Sequence, residues 1–310
     1  MSKINIKNSI FVVLFEGLKI YCSNIDKFFL YMLFPVLGQI VGIILALGLS
    51  LGLSNLVTQK IDNPLIAIAC ILLLALPGLL IFCKAFWDYM VAYVALNSMT
   101  EGELTTGRVY DISAHNAVAT QHLGKFILLL LIVGVFNSIA TSIFFMIPAF
   151  VVWIYFILIF QVYTFEQDLT IKEQLKRSFN LIKGNWFRTA VLMLILSFLT
   201  IYIATQGLTV VFDYLNLTDK LCNLIPDFTA YIPYLDEINR GLAHFELPII
   251  TGELIAKNIF YSILTFVVMG LTLPIRSICW TLWYFSLCDK NNNSKSKKSS
   301  RKKQEVEDEE

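Results

Sequence analysis

Charge is what this chain has least of. Only 15% of its 310 residues are Asp, Glu, Lys or Arg, against about 25% in an ordinary soluble domain. Histidine is rarer still, with three in all. His115 and His122 stand seven residues apart with no third ligand at metal spacing, so no metal site is expected. The six cysteines, Cys22, Cys70, Cys83, Cys222, Cys279 and Cys288, have neither metal nor framework spacing. Most fall in apolar stretches, where cysteine behaves as a small hydrophobe, and no structural disulfide is expected. Also missing are the GxSxG, HExxH, P-loop and dinucleotide fingerprints. No two carboxylates share an apolar segment as an acid and a base. The chain therefore reads as non-enzymatic, with no cofactor, and the nearly charge-free apolar cores also speak against a proton-coupled carrier.

Apolar residues fill the space instead. They make up 57% of the chain, and the mean hydropathy is +0.69. They come in runs long enough to cross a bilayer, which takes about 20 residues in a helix. Six spans are read, at 28–51, 64–96, 126–146, 149–165, 189–211 and 259–273, the last continuing through PIRSICWTLWYFSLC. The fold class is all-α, a polytopic helical membrane bundle forming one domain over 1–288. A disordered, charged cytoplasmic tail follows at 289–310, basic and then acidic.

Several details belong to this map. Gly38, Gly42, Gly48 and Gly52 suit close helix contact in the first span. Pro77-Gly78 is expected to kink the second and Pro274 the sixth. Lys84 and Asp88 form a pair at the inner interface. Residues 100–108 read as a loop, 110–122 as a short helix, and Ile147-Pro148 as a tight turn. Gln39 and Gln161 are polar members of apolar spans. The long segment 212–257 carries seven acidic residues against three basic ones, and parts of it are apolar enough to fold back on the membrane surface.

The stretch 165–196 organises the rest. At 100° per residue Ile171, Leu175, Phe179, Ile182 and Trp186 share one narrow arc. Lys172, Lys176 and Lys183 flank it, and Glu173 stands one turn before Arg177, where the two can pair. Such a helix lies in an interface, its apolar residues in the acyl boundary and its lysines at headgroups. Trp186 and Arg188 sit where interface anchors belong. The lipid-headgroup candidates are thus Lys172, Lys176, Arg177, Lys183, Trp186 and Arg188. A second interfacial helix is read at 9–25 rather than a cleavable signal, with Ile10, Leu14, Leu18, Tyr21 and Ile25 on one face.

Basic residues cluster before span one, between spans four and five, and at the start of the tail. The positive-inside rule then places both ends in the cytoplasm. Three times an amphipathic cytoplasmic helix (9–25, 110–123, 170–185) precedes an apolar hairpin, an internal three-fold pattern. Membrane lipids are the expected partners, with a membrane or cytoplasmic protein as a further one. Nucleic acid is not expected, because the basic residues interleave with membrane-facing apolar ones.

The segment TFEQDLTIKEQLKRSFNLIKGNWFR and the later LPIRSICWTLWYFSL carry a resemblance. They resemble the non-catalytic membrane domain of glycerophosphoryl diester phosphodiesterases and the YciC-type families of uncharacterised bacterial membrane proteins. The matching residues here are Glu166, Lys176, Arg177, Ser178, Lys183, Gly184, Asn185 and Trp186, then Pro274, Thr281, Leu282, Tyr284 and Phe285. Ser286 and Cys288 stand where the motif has aspartate and arginine. The resemblance implies a six-span bacterial inner-membrane protein without the phosphodiesterase barrel or its activity. Two roles remain open: organising lipid or partner proteins, or serving as a permease or lipid-transport component with a polar passage near Gln161 and Gln39.

Overall fold

The computed structural model describes residues 9–109, 112–140, 146–223, 225, 229 and 235–307; side chains are not described at 55, 140, 146–147 and 291–307. The expected tail therefore falls beyond the described side chains from residue 291 on. All regular structure among the described residues is helical. Among the described residues five helices or helix runs are long and apolar enough to cross a membrane, six if a pair bent by 76° is one span. In hydrocarbon every backbone N–H and C=O must be satisfied within its own segment, which is why such runs become helices.

The contacts divide the chain into two compact units, Met1–Ile195 with Leu273–Glu310, and Leu196–Thr272. The first unit begins with α1 (Ile10–Ser23). Its packed residues are Val13, Gly17 and Ile20, one row round from the expected face of Ile10, Leu14, Leu18, Tyr21 and Ile25. Gly17 is what lets it approach α15: a Cβ there would stand 2.5 Å from Cys279 Sγ.

After the hinge at Asn24, α2 (Ile25–Gly52) and a short α3 (Ser54–Lys60) lead to α4 (Pro64–Thr106). Pro64 sits at the first turn of α4, where its missing N–H has no bond to lose, and the Asn63 side chain caps Leu65 and Ile66. α2 and α4 pack backbone to backbone. A Cβ on Gly78 would come within 2.1 Å of the Ala46 nitrogen, and one on Gly42 within 2.6 Å of the Phe82 nitrogen. Gly48 and Gly52, from the same row, have nothing within 4 Å.

α4 corrects one expectation. With Pro77 inside it, it continues through the stretch read as a loop to Thr106, closing on Gly107 in the left-handed conformation (φ 67°). The reason is burial. Its first half is largely exposed, with Leu65, Leu72, Leu73 and Leu80 facing outward, whereas Val94 to Thr100 are enclosed throughout. Small side chains let neighbours close in on every face, and Thr100, Thr105 and Thr106 turn their hydroxyls onto carbonyls of their own helix. Tertiary packing thus outweighs weak helix propensity.

α5 (Ile112–Thr120) and α6 (Leu123–Ala140) are the bent pair. α7 (Met146–Phe156) and α8 (Ile159–Phe165) follow. Pro148 lies in the first turn of α7, so Ile147-Pro148 is helical rather than a tight turn; residues 141–145 lie outside the described ones. Then come α9 (Ile171–Ile182) and α10 (Trp186–Ser197). α15 (Leu273–Glu307) returns to this unit, with Pro274 in its first turn. The second half of α4 meets α5, α8 and α15, and α15 also meets α1 and α9. Trp283, Tyr163, Phe126, Leu96, Met99 and Leu181 are fully buried in this unit.

The second unit holds a π-helical turn at Phe198–Ile203, α11 (Ala204–Tyr214), α12 (Leu217–Cys222), α13 (Leu235–His244) and α14 (Gly252–Leu271). Its core is Cys222, Ala256, Phe260 and Leu264, with Leu208, Phe212 and Tyr261 packed on it. α14 starts seven residues before the expected span. Among its described residues, Asn216 and Glu246 are left-handed without being glycine.

Candidate functional site

The first unit holds a buried polar node. Asn97 on α4 is fully enclosed. Its Oδ1 accepts from Ser277 Oγ at 2.8 Å, Thr281 Oγ1 at 3.1 Å and Gln161 Nε2 at 3.2 Å. Its Nδ2 donates to Thr164 Oγ1 at 3.2 Å. One amide therefore ties α4 to α8 and α15. Sequence reasoning missed Asn97; for Gln161 it prefers a structural hydrogen bond to a neighbouring helix, and Asn97 on α4 is the acceptor of that bond. A signal was there: Gln161 and Thr164 stand three apart and Ser277 and Thr281 four apart, each pair on one face of an apolar helix.

The resemblance motif forms a second internal clasp. Thr170 and Glu173 make a capping box at the start of α9, with Thr170 N on Glu173 Oε2 at 2.8 Å and Glu173 N on Thr170 Oγ1 at 3.4 Å. The Thr170 hydroxyl, which donates to Glu173 Oε2 at 2.7 Å, and the Thr170 backbone N–H hold the Glu173 carboxyl below the usual range. Glu173 is thereby committed, and Arg177 does not pair with it as expected. Arg177 instead meets Glu166, its Nε 2.8 and 3.0 Å from the two carboxylate oxygens. Burial pulls the guanidinium down, but the bond to Glu166 and its charge outweigh that and raise it. Tyr284 OH donates to the same carboxylate at 2.6 Å. Ser178 Oγ donates to the Tyr155 carbonyl at 2.9 Å, and Phe179 stacks on the Tyr155 ring at 4.5 Å.

At the end of α9, Gly184 takes φ 85°, a conformation that favours glycine. The chain reverses so that Asn185 Oδ1 receives Lys290 Nζ at 2.7 Å. Trp186 Nε1 donates to the Val151 carbonyl at 3.2 Å, and Trp283 Nε1 to Thr189 Oγ1 at 3.1 Å. Glu166, Arg177, Ser178, Gly184, Asn185 and Trp186 thus hold α9 against α7 and α15. Pro274 stands apart from this clasp and starts α15.

The remaining candidates face outward. Lys172, Lys176, Lys183 and Arg188 are all exposed. The three lysines fall within about 40° of one another on the helix. Between this stripe and the buried row of Gln174, Ser178 and Leu181 lies a half-open apolar edge of Ile171, Leu175 and Phe179. Arg177 sits on the opposite border of the buried row, which is why it turns inward to Glu166 while the lysines do not. Gln174 is fully enclosed, and neither end of its amide has a hydrogen-bond partner. Such a group costs about 1–3 kcal/mol. Gln174→Met, close to it in volume, is expected to raise unfolding stability by about that amount; a lowered thermal midpoint in detergent would show that the amide has a partner.

Other sequence candidates resolve as structure. His115 Nδ1 lies 3.0 Å from Ser98 Oγ, buried. Among the described residues no group of three His, Cys, Asp or Glu side chains could hold a metal ion. Lys84 and Asp88 pair one turn apart on the exposed side of α4. Gln39 bonds the Pro35 carbonyl of its own helix at 3.3 Å. Lys125 Nζ caps the carbonyls of Gln167 at 2.9 Å and Leu169 at 3.3 Å, tying α6 to the segment before α9. No family model, curated protein or solved structure matches the chain.

Proposed function

We propose that this multi-pass membrane protein is a non-enzymatic organiser of anionic lipid, or of a protein partner, at the cytoplasmic surface, with α9 as its contact element. The observation that carries this is the division of labour on α9. Arg177 and Ser178 are consumed in the clasp and Gln174, Leu181 and Ile182 are buried, while Lys172, Lys176 and Lys183 remain exposed in one stripe beside a half-open apolar edge. A helix held rigidly by one face and presenting cations beside apolar side chains suits the boundary between acyl chains and headgroups. Each lysine near an anionic surface contributes up to about 1 kcal/mol.

The reading includes six spans arranged as three helix pairs, with both ends in the cytoplasm of a bacterial inner membrane. The packing of α2 on α4, α6 on α7, and α14 on α11 is consistent with it. The clasp residues are those of the resemblance to the phosphodiesterase membrane domains, which supports placing the chain beside them without their enzyme. The transport reading is less well supported, because Gln39 and the Gln161 amide nitrogen, the groups a passage would offer, are spent on bonds inside the fold.

The triple variant Lys172→Glu, Lys176→Glu, Lys183→Glu tests this. About 3 kcal/mol of headgroup attraction would be lost, which is roughly a hundredfold in affinity. The expected result is a loss of phosphatidylglycerol retention in mass spectra of the nanodisc-extracted protein, with the helical circular dichroism unchanged. Equal lipid retention and an unchanged set of crosslinked proteins in cells would overturn the proposal.

A further inference from the structure

The second unit carries an apolar ridge that the proposed cytoplasmic role does not use. α13 segregates its side chains cleanly. Leu235, Ile238 and Leu242 share one face, and Asp236, Glu237, Arg240 and His244 the other. No residue of α13 is buried, and among the described residues α13 has no extensive packing against another helix. An isolated helix of this length is marginal in water, so an apolar face of this kind needs cover.

The chain after α13 is held in a fixed shape. Leu247 N bonds the Leu242 carbonyl at 2.9 Å. Asn239 grips Ile250 from both sides, its Nδ2 on the carbonyl at 3.1 Å and its Oδ1 on the amide at 2.8 Å. Glu246 takes the left-handed conformation (φ 55°) that this reversal needs. The outcome is a braced loop with Phe245 74%, Leu247 52% and Ile249 50% exposed. Three large hydrophobes held open by side-chain-to-backbone bonds are not a frayed linker.

Distance says what can cover them. α14 runs from Gly252 to Leu271. A helix of that length is about 30 Å long, the thickness of one hydrocarbon core, so Gly252 lies at a membrane boundary. Phe245, Leu247 and Ile249 precede it by seven, five and three residues, so even fully extended chain keeps them within about 10–25 Å of that boundary. Asp236, Glu237 and Glu246 stand against Arg240 and His244, with Arg240 3.7 Å from Glu237, so the polar side offers no cationic surface for acidic partners.

We propose that α13 and the braced loop 245–249 form an interfacial anchor, inserted into the leaflet reached by the C-terminal end of α11. The occupant of the apolar face is the acyl boundary of zwitterionic lipid. Membrane insertion here depends on apolar area rather than on headgroup charge, unlike the lysine stripe of α9, and does not rest on that role.

Site-directed spin labelling tests it. In the full chain Cys22, Cys70, Cys83 and Cys288 are replaced by serine, and the buried Cys222 and Cys279 are kept. A nitroxide is placed through Phe245→Cys, and in separate samples through Ile249→Cys and Glu237→Cys. The protein is reconstituted in phosphatidylcholine vesicles. The ratio of oxygen to nickel-chelate collision is expected to be several-fold higher at 245 and 249 than at 237. Equal, water-like ratios at all three positions would overturn the proposal. So would spin–spin broadening at 245 that disappears on dilution with unlabelled protein, which would make a second copy of the chain the occupant. Circular dichroism of each labelled sample establishes that the fold is retained, and the two ridge positions report independently.

Discussion

Replacing Asn97 with leucine is expected to be among the most destabilising single changes in the first unit. Leucine keeps the branched skeleton of asparagine but puts bulkier methyls in place of its oxygen and nitrogen, so in this enclosed site overpacking adds to the loss of hydrogen bonds. Four side chains lose a partner, Gln161, Thr164, Ser277 and Thr281. They are not equally harmed. Thr164 already donates to the Phe160 carbonyl at 2.7 Å. Ser277 and Thr281 can rotate onto carbonyls of their own helix, as buried hydroxyls do. Gln161 has no such escape, since its Oε1 is already without a partner. Stranding its amide nitrogen costs about 1–3 kcal/mol, with smaller additions from the hydroxyls. Asn97→Asp should be worse, because it places a carboxylate in an enclosed site. The double change Asn97→Leu with Gln161→Leu should recover part of the loss, since replacing both partners by apolar groups can be nearly neutral. Thermal midpoints of the four proteins in one detergent decide it. If Asn97→Leu unfolds with the native protein, the node does not hold α4, α8 and α15 together.

The second large effect is expected at Gly78. Even alanine there places a Cβ 2.1 Å from the Ala46 nitrogen and 2.6 Å from its Cα and from the Gly42 carbonyl. These are backbone atoms, which cannot rotate away. The two helices must therefore separate along their length, and the Gly42 contact with Phe82 and the Gly38 contact with Ala85 are lost with it. Between lipid-facing helices no hydrophobic drive restores the pair, because acyl chains are as apolar as leucine and close packing is what favours association. Gly48→Ala is the matched control: it meets nothing within 4 Å, and alanine favours the helix by about 1 kcal/mol in water. Gly78→Ala should give aggregated protein or a sharply lowered midpoint in size-exclusion and thermal assays, while Gly48→Ala behaves as native. Indistinguishable behaviour of the two would remove backbone contact as what joins α2 to α4.

The same comparison shows why the glycine row was only half legible. Gly38, Gly42, Gly48 and Gly52 look alike in sequence, and only the first two meet a neighbour, because the contact with α4 continues along their face to Ala46, while Gly48 and Gly52 fall well round the helix from that residue. The α9 segment was clearer. Its apolar arc and lysine flank could be read from helical period, and the three lysines are indeed exposed. Arg177 was misread as one more interface cation. Its partner, Glu166, lies eleven residues away across an irregular turn, so no helical spacing points to it. Residues 100–106 were misread as loop because threonine and glycine are weak helix formers. That weakness is overcome by burial between helices that lie far away in the chain.

By itself the sequence determined that this is a helical protein of the membrane, and about where its spans lie. A run of some twenty apolar residues in hydrocarbon has one economical solution, the helix that satisfies its own backbone, and that constraint is local. Only the tertiary structure decided which polar residues hold the spans together. Asn97 meets Gln161 64 residues on and Ser277 180 residues on. A hydrogen bond depends on where two groups arrive in space, and nothing in the period or composition of either segment specifies the other.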